Sequence, residues 1–225
     1  MWCVPKLDAE YVERMEDVLA LYEKPYDKRE PVVCLDERPI QLLDSSRPGR
    51  AAAPSKIARE DYEYVRCGTA NVFCAVEALA GRHFTEATPN RKGPAFARMV
   101  QGVARKYPRA KTIHLVVDNL STHSRKCLTD HLGEKRGGKL WGRFTVHYTP
   151  KHGSWLNQAE IEISLYSRGC LGSDRVSTLE ELGRRTVAWN ARMNTSRTRI
   201  HWGFTVRKAR SKFRYKRSLF RRSED

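Results

Sequence analysis

Apolar residues recur along this 225-residue chain with two periods, one near 3.6 and one of 2. In LDAEYVERMEDVLALYEK, Tyr11, Met15, Leu19 and Tyr22 fall at helical spacing and Asp8 stands where it can cap the first turn. Pro25 and Pro31 interrupt the chain beyond it, so the segment predicts a connector helix outside the central sheet. PVVCLDE reads as a short apolar strand ending on Asp36, and NVFCAVEA and RHFTEAT as two strands joined tightly at Ala80-Gly81. GPAFARMVQGVARKYP predicts a helix with Pro94 in its first turn and Phe96, Met99, Val100 and Val103 facing inward. KTIHLVVDN is the most apolar strand, HSRKCLTDHLG a short helix stopped by Gly133, and RFTVHYTP a strand alternating Phe144, Val146 and Tyr148. WLNQAEIEISLYSRGCL and STLEELGRRTVAWNARMN are helical, the second with capping-box spacing from Ser177 to Glu180, and Trp155 and Trp189 are expected in the core.

After the connector the order is therefore β, β, β, α, β, α, β, α, α. Three strands containing a hairpin come first, and two strand–helix units, which favour parallel neighbours, follow. The expectation is an α/β fold, a five-stranded mixed sheet with helices on both faces. Residues 1–30 read as connector helix and linker, 31–205 as the sheet domain, and 206–225 as a basic tail. From Asp44 to Arg66 the apolar residues thin out, and DSSRPGRAAAPSKIARE has the composition of a long exposed loop. Loops of that length are usually functional or disordered. This one is expected to be mobile and to order against a partner, with Arg47, Arg50, Lys56 and Arg59 meeting phosphates or acids across a subunit boundary.

Charge narrows the partner. The formal net charge is +16 and the pI is near 9.9, which points to a polyanion, nucleic acid before membrane. RKARSKFRYKRSLFRR contains no acid and reads as a solvated end, its interleaved Phe213, Tyr215 and Phe220 offering contact with nucleic acid. The six cysteines form no CxxC pair, which fits reduced thiols in a cytosol. No apolar run reaches membrane-spanning length.

Against this basic background two acids stand out. LVVDNLSTH runs through Leu115, Val116 and Val117 into Asp118, and VVCL runs into Asp36. Burying a lone carboxylate costs several kcal/mol unless something pairs with it. Either residue alone could simply begin a turn. On neighbouring strands, however, both would emerge at one rim of the sheet, where open α/β sheets bind ligands. Carboxylates so placed repel each other, and a divalent cation with hard oxygen ligands, Mg²⁺ or Mn²⁺, resolves the conflict. Two such ions roughly 3.5–4 Å apart would stabilise the attacking and leaving oxygens of a phosphodiester.

HGSWLNQAEIEIS offers Glu160 and Glu162 as a third acid, and periodicity does not choose between them. Asn157-Gln-Ala-Glu160 also has capping-box layout. Lys151, His152 and Ser154, just ahead of that helix, are candidate phosphate contacts, while His123 and His152 are candidate metal ligands or phosphate contacts. His83, His114, His131 and His147 lack zinc-site spacing and are assigned ordinary polar roles.

VVCLDE, LVVDNLSTH and YTPKHGSWLNQAEIEIS together resemble the catalytic half of DDE transposases of the mariner-type superfamily, specifically the bacterial insertion-sequence six-thirty branch. The resemblance implies a ribonuclease-H-like fold. It implies Asp36, Asp118 and Glu160, rather than Glu162, as catalytic and metal-binding acids, with Asn119 and His123 completing a D-N-x-x-x-H motif on the DNA side. It further implies cleavage at transposon ends, transfer of 3′-hydroxyls to TA target sites, and a dimer or higher assembly on DNA. Family members usually carry a helix-turn-helix region ahead of this portion, for which the chain has no room. A second reading follows: a truncated, non-catalytic remnant that binds DNA through charge or poisons full-length transposase by co-assembly.

Overall fold

The computed structural model describes residues 7–59 and 61–216, so Cys3 and Phe220 lie outside the described residues. Five strands form one mixed sheet in the order β3-β2-β1-β4-β5, with β1 at Val32–Ser45, β2 at Tyr64–Glu77, β3 at Arg82–Thr88, β4 at Ile113–Val117 and β5 at Phe144–Tyr148. β1 pairs antiparallel with β2 and β2 with β3, whereas β4 runs parallel to both β1 and β5. This is the expected five-stranded mixed sheet, with the ribonuclease-H-like arrangement.

Alternation along β1 decides what lies on each face. Val33 and Leu35 join Phe73, Leu115 and Val117 in the core beneath α2 (Gly93–Lys106) and α3 (Arg125–Leu132). Cys34 points the other way, into a core with α1 (Ala9–Tyr22). Further along that face, Ile40, Leu42 and Cys74 pack with α5 (Ala159–Tyr166) and α6 (Leu179–Ser196). Pro94 sits in the first turn of α2, as expected. Helices therefore cover both faces, and none among the described residues is long and apolar enough to cross a membrane.

Several expectations need correction. β1 does not end at Asp36 but continues to Ser45, paired with β2 throughout. β4 pairs with β1 only as far as Cys34. Beyond that point no strand pairs along that edge of β1, which instead meets Asn157 at the Leu35 carbonyl and the Val176 carbonyl at the Leu43 amide, and Pro39 is tolerated between them. The first six residues of β2 are likewise exposed, so the two strands leave the sheet as a ribbon. The segment expected as an open loop continues this ribbon: Arg50 and Arg59 exchange backbone hydrogen bonds of 2.8 and 2.9 Å, and Ala53 and Lys56 bonds of 3.0 and 2.8 Å. Arg175 ties down the ribbon's base, donating to the Asp61 carbonyl at 2.6 Å and the Glu63 carbonyl at 2.8 Å.

A helix the apolar pattern missed, α4 (Glu134–Trp141), follows Gly133; it buries little but Gly137, so its periodicity is faint. The cap of α6 is Thr178, whose hydroxyl accepts from the Glu181 amide, and not Ser177. The supposed tail forms α7 (Val206–Phe213), docked on α1 by an Arg210–Glu16 pair at 2.8 Å and a 3.0 Å hydrogen bond from Tyr215 to Glu16. Tyr215 is buried, and Phe213 packs against Trp155 and Phe204. These aromatics serve the core rather than nucleic acid.

Candidate active site

The parallel β1–β4 register sets the geometry. Val32 pairs with His114, Val33 with Leu115 and Cys34 with Val116. Two further steps bring Asp36 level with Asp118 on the same face as Cys34 and Val116. Strand alternation, and not only the apolar run before each acid, thus brings the two carboxyls to one rim.

Asp36 is 9% exposed. Burial pushes its carboxyl up to about 7 against the Glu37 backbone amide, which lowers it, and the charges of Glu160, Glu37 and Asp118 raise it further. Glu160 stands exposed on the first turn of α5. Glu162, two residues on, is fully buried and hydrogen-bonded to His83 Nδ1 at 2.8 Å. Glu160 is thus the acid of this helix that faces Asp36 across solvent. Among the described residues no group of three or more His, Cys, Asp or Glu side chains has metal-holding geometry. The chemistry of the donor set nevertheless fits a divalent cation, because mutual repulsion at Asp36 is the feature that bound positive charge removes.

Asn157 fixes this corner. Fully buried, it donates to the Leu35 carbonyl at 2.9 Å and to Asp36 Oδ2 at 3.3 Å, while its own carbonyl accepts from the Ala159 amide at 3.1 Å. Its oxygen thus caps the first turn through Ala159, not through the reciprocal bonds with Glu160 that its spacing suggested, while Gln158, at the formal cap position of α5, makes no side-chain cap bond. One side chain joins the start of α5 to β1.

Asp118 is held from the opposite side. His123 is 1% exposed, with Nδ1 at 2.8 Å from Asp118 Oδ1 and Nε2 at 2.7 Å from Glu37 Oε1. The Phe96 ring lies over it at 4.8 Å. Burial alone would lower its pKa, but the bonds to Asp118 and Glu37 outweigh burial and hold the imidazole at about 9. The same bond keeps the Asp118 carboxyl below the usual range despite partial burial. With both ring nitrogens occupied by acids, His123 has none left for DNA or a metal; its expected contact role gives way to positioning Asp118.

The other candidates divide. Asn119 is exposed, donates to the Thr149 carbonyl at 2.7 Å and accepts from Arg14 of α1. Lys151, His152 and Ser154 are exposed in the turn before α5, His152 with φ of 62°; they remain free to meet a phosphate. Arg47, Arg50, Lys56 and Arg59 all lie on the projecting ribbon, away from the acids. Sequence reading passed over Glu37 and Arg14 and saw Asn157 only as a helix cap. Glu37 carried a usable signal: it adjoins Asp36 in a buried strand and so had to face the opposite core, where a buried carboxylate requires a cation.

The profile of the DDE superfamily endonuclease family matches residues 31–183, a span covering all three acids. A search of curated proteins finds no match. Among solved structures, the Mos1 mariner paired-end complex with Mn superposes with a TM-score of 0.57 at 16% identity, over 88% of this chain and 60% of that one. The Mos1 strand transfer complex gives 0.56 at 12% identity, over 100% of this chain and 66% of that one, and a pre-cleavage Mos1 transpososome gives 0.54 at 14%, over 90% and 67%. At these identities the likeness establishes the fold, and the chain spans about 60% of the length of the Mn complex's chain. The fold of these structures agrees with the family profile, and the chain belongs to the DDE superfamily of endonucleases.

Proposed function

We propose that this chain is the catalytic portion of a DNA transposase of the mariner type, in the insertion-sequence six-thirty branch, cleaving phosphodiesters at transposon ends and transferring the 3′-hydroxyls to target DNA. The observation that supports the reading is that parallel β1 and β4 end near one rim, where the charges of Glu160 and Asp118 both act on the buried Asp36. The three acids would hold one or two divalent cations, Mg²⁺ or Mn²⁺. A bound cation supplies charge neutralisation at the phosphoryl and leaving oxygens. The chain's own residues do the rest: Asn157 orients Asp36, His123 keeps Asp118 ionised, and Asn119, Lys151, His152 and Ser154 line the approach for a phosphate backbone. DNA-bound assembly as a dimer or higher oligomer, and a cytoplasmic setting at the nucleoid, belong to the same reading.

Nicking of a generic supercoiled plasmid tests it. Wild type with Mn²⁺ or Mg²⁺ is expected to convert supercoiled to open circle, and Asp118→Asn to lower that rate at least a hundredfold. Wild type that binds DNA but leaves the plasmid intact under both metals would be the non-catalytic remnant instead.

A further inference from the structure

The molecule carries a second basic surface, at the end of the sheet opposite the acidic rim. β1 and β4 run parallel toward the rim, so the β2–β3 turn, at Ala78–Gly81, lies at the far end. A groove of about 640 Å³ opens there between this turn, the end of α2 and the chain leaving α6. Arg82, Lys106, Arg197 and Arg199 line it, together with the side-chain amides of Asn190 and Asn194, and none of its lining residues is acidic. Arg82 alone among the four cations has an acid nearby, Glu77 at 3.7 Å. Among the described residues Lys106, Arg197 and Arg199 have no ion-pair partner.

The groove is built, not incidental. Gly81 has φ of 60°, and a Cβ there would lie 2.5 Å from the Arg197 carbonyl. Only glycine allows the turn to approach the end of α6 so closely. Arg197 closes α6 in a left-handed conformation, φ 47°. Asn194 then ties α6 to β3, accepting from the His83 amide at 3.0 Å and donating to the His83 carbonyl at 2.8 Å. These contacts hold like charges beside one another, an arrangement that repels unless an anion fills the space.

We infer that this groove is a second DNA-backbone site, seating phosphates of a duplex segment away from the active site. The inference rests on the reading of DNA as the partner. The groove is too wide and open for one small anion, and its four cations and the Asn190 amide are the donor types that contact phosphate and sugar without reading sequence. Measured along β2, about three residues separate Cys74, opposite Asp36, from Glu77 at the strand's end. At ~3.3 Å per residue the groove begins about 10 Å from the catalytic level, so one protein can hold DNA at both places.

The test is fluorescence anisotropy with a random 30-base-pair duplex across a salt series. It compares wild type, a groove variant (Lys106→Gln, Arg197→Asn, Arg199→Gln) and a control that loses the same charge from exposed α4 (Lys135→Gln, Arg136→Gln, Lys139→Gln). Each phosphate contact contributes about −0.9 to the slope of log affinity against log salt. The groove variant is expected to lose about 2 to 3 from that slope and at least tenfold in affinity at 0.1 M salt. The control should lose clearly less, with melting midpoints of all three within about 2 °C. Equal behaviour of the groove variant and wild type, or an equal loss in the control, overturns the groove site and leaves the catalytic reading untouched. Wild type without salt-dependent binding overturns DNA as the partner altogether.

Discussion

Asp36 and His123 are both charged groups below the surface, and they titrate in opposite senses. The Asp36 carboxyl is pushed up to about 7, so the folded protein holds a proton there that the unfolded chain releases near 3.9. Stability from this residue is therefore present at acid pH and falls as pH rises from about 4 through 7, by at most about 4 kcal/mol. Asp36→Asn removes that loss. At pH 8 without divalent cation its melting midpoint is expected several degrees above wild type, at roughly 2–4 °C per kcal/mol for a chain of this size. Mn²⁺ should raise the midpoint of wild type and not of the variant. A midpoint at or below wild type would mean the carboxylate is not penalised. His123 is raised to about 9. Its contribution is complete below about 6.5 and disappears as pH rises through 9, on the order of 3 kcal/mol. Urea titrations at pH 8, 9 and 10, above the range in which Asp36 titrates, should show the last part of that fall in wild type and a nearly flat profile in His123→Gln. The acids themselves were legible because a hydrophobic run ending on Asp is chemically odd. His123 was legible only as a motif letter, since the side chain that charges it, Glu37, announces itself only once strand alternation places it in the opposite core.

At the scale of elements, the structure departs from the expected pattern where the chain leaves the core. β4, β5 and α2 carry the strongest apolar periodicity, and they appear within a residue or two of where that periodicity places them. The outer half of β2 is exposed on both faces, and beyond Leu42 β1 is exposed as well, so no burial pattern marks the projecting part, and the ribbon read as an open loop. A single buried amide then joins strand to helix. Asn157→Ala leaves the Leu35 carbonyl without its buried side-chain donor and frees Asp36, and is expected to lower stability by about 2–3 kcal/mol in urea unfolding, with nicking reduced alongside. A loss below about 0.5 kcal/mol would show the link to be ornamental. The ribbon predicts the reverse combination. Arg47, Arg50, Lys56 and Arg59 project into solvent, with Ile57 at 80% and Tyr62 at 86% exposure beside them. Replacing the four cations with Ser should abolish strand transfer in an active full-length protein while moving the melting midpoint by less than about 2 °C. Intact transfer would make the ribbon a passive insertion.

For the whole molecule, the question is whether this much positive charge reads sequence or merely holds DNA. The protein carries a +16 excess, and besides the cations of α4 and α7 its basic side chains stand on the ribbon, at the turn before α5 and in the groove beside Gly81, places distributed around the sheet. The helices best placed to be lent to a major groove are already committed. α1 buries Met15, Val18 and Leu19 completely, and α7 is locked to it through Arg210, Tyr215 and Glu16. Contacts made by scattered Arg and Lys side chains fall on phosphates, which fix register without identifying bases. The 225-residue polypeptide is therefore expected to bind an inverted-repeat end and a random duplex with affinities within about a thousandfold, the low end of specific recognition. Both should weaken linearly on logarithmic axes as salt rises. Binding isotherms for the two duplexes between 50 and 300 mM salt decide it. A larger preference for the repeat, persisting at high salt, would mean that some described element reaches base edges and that sequence recognition resides in this portion of the protein.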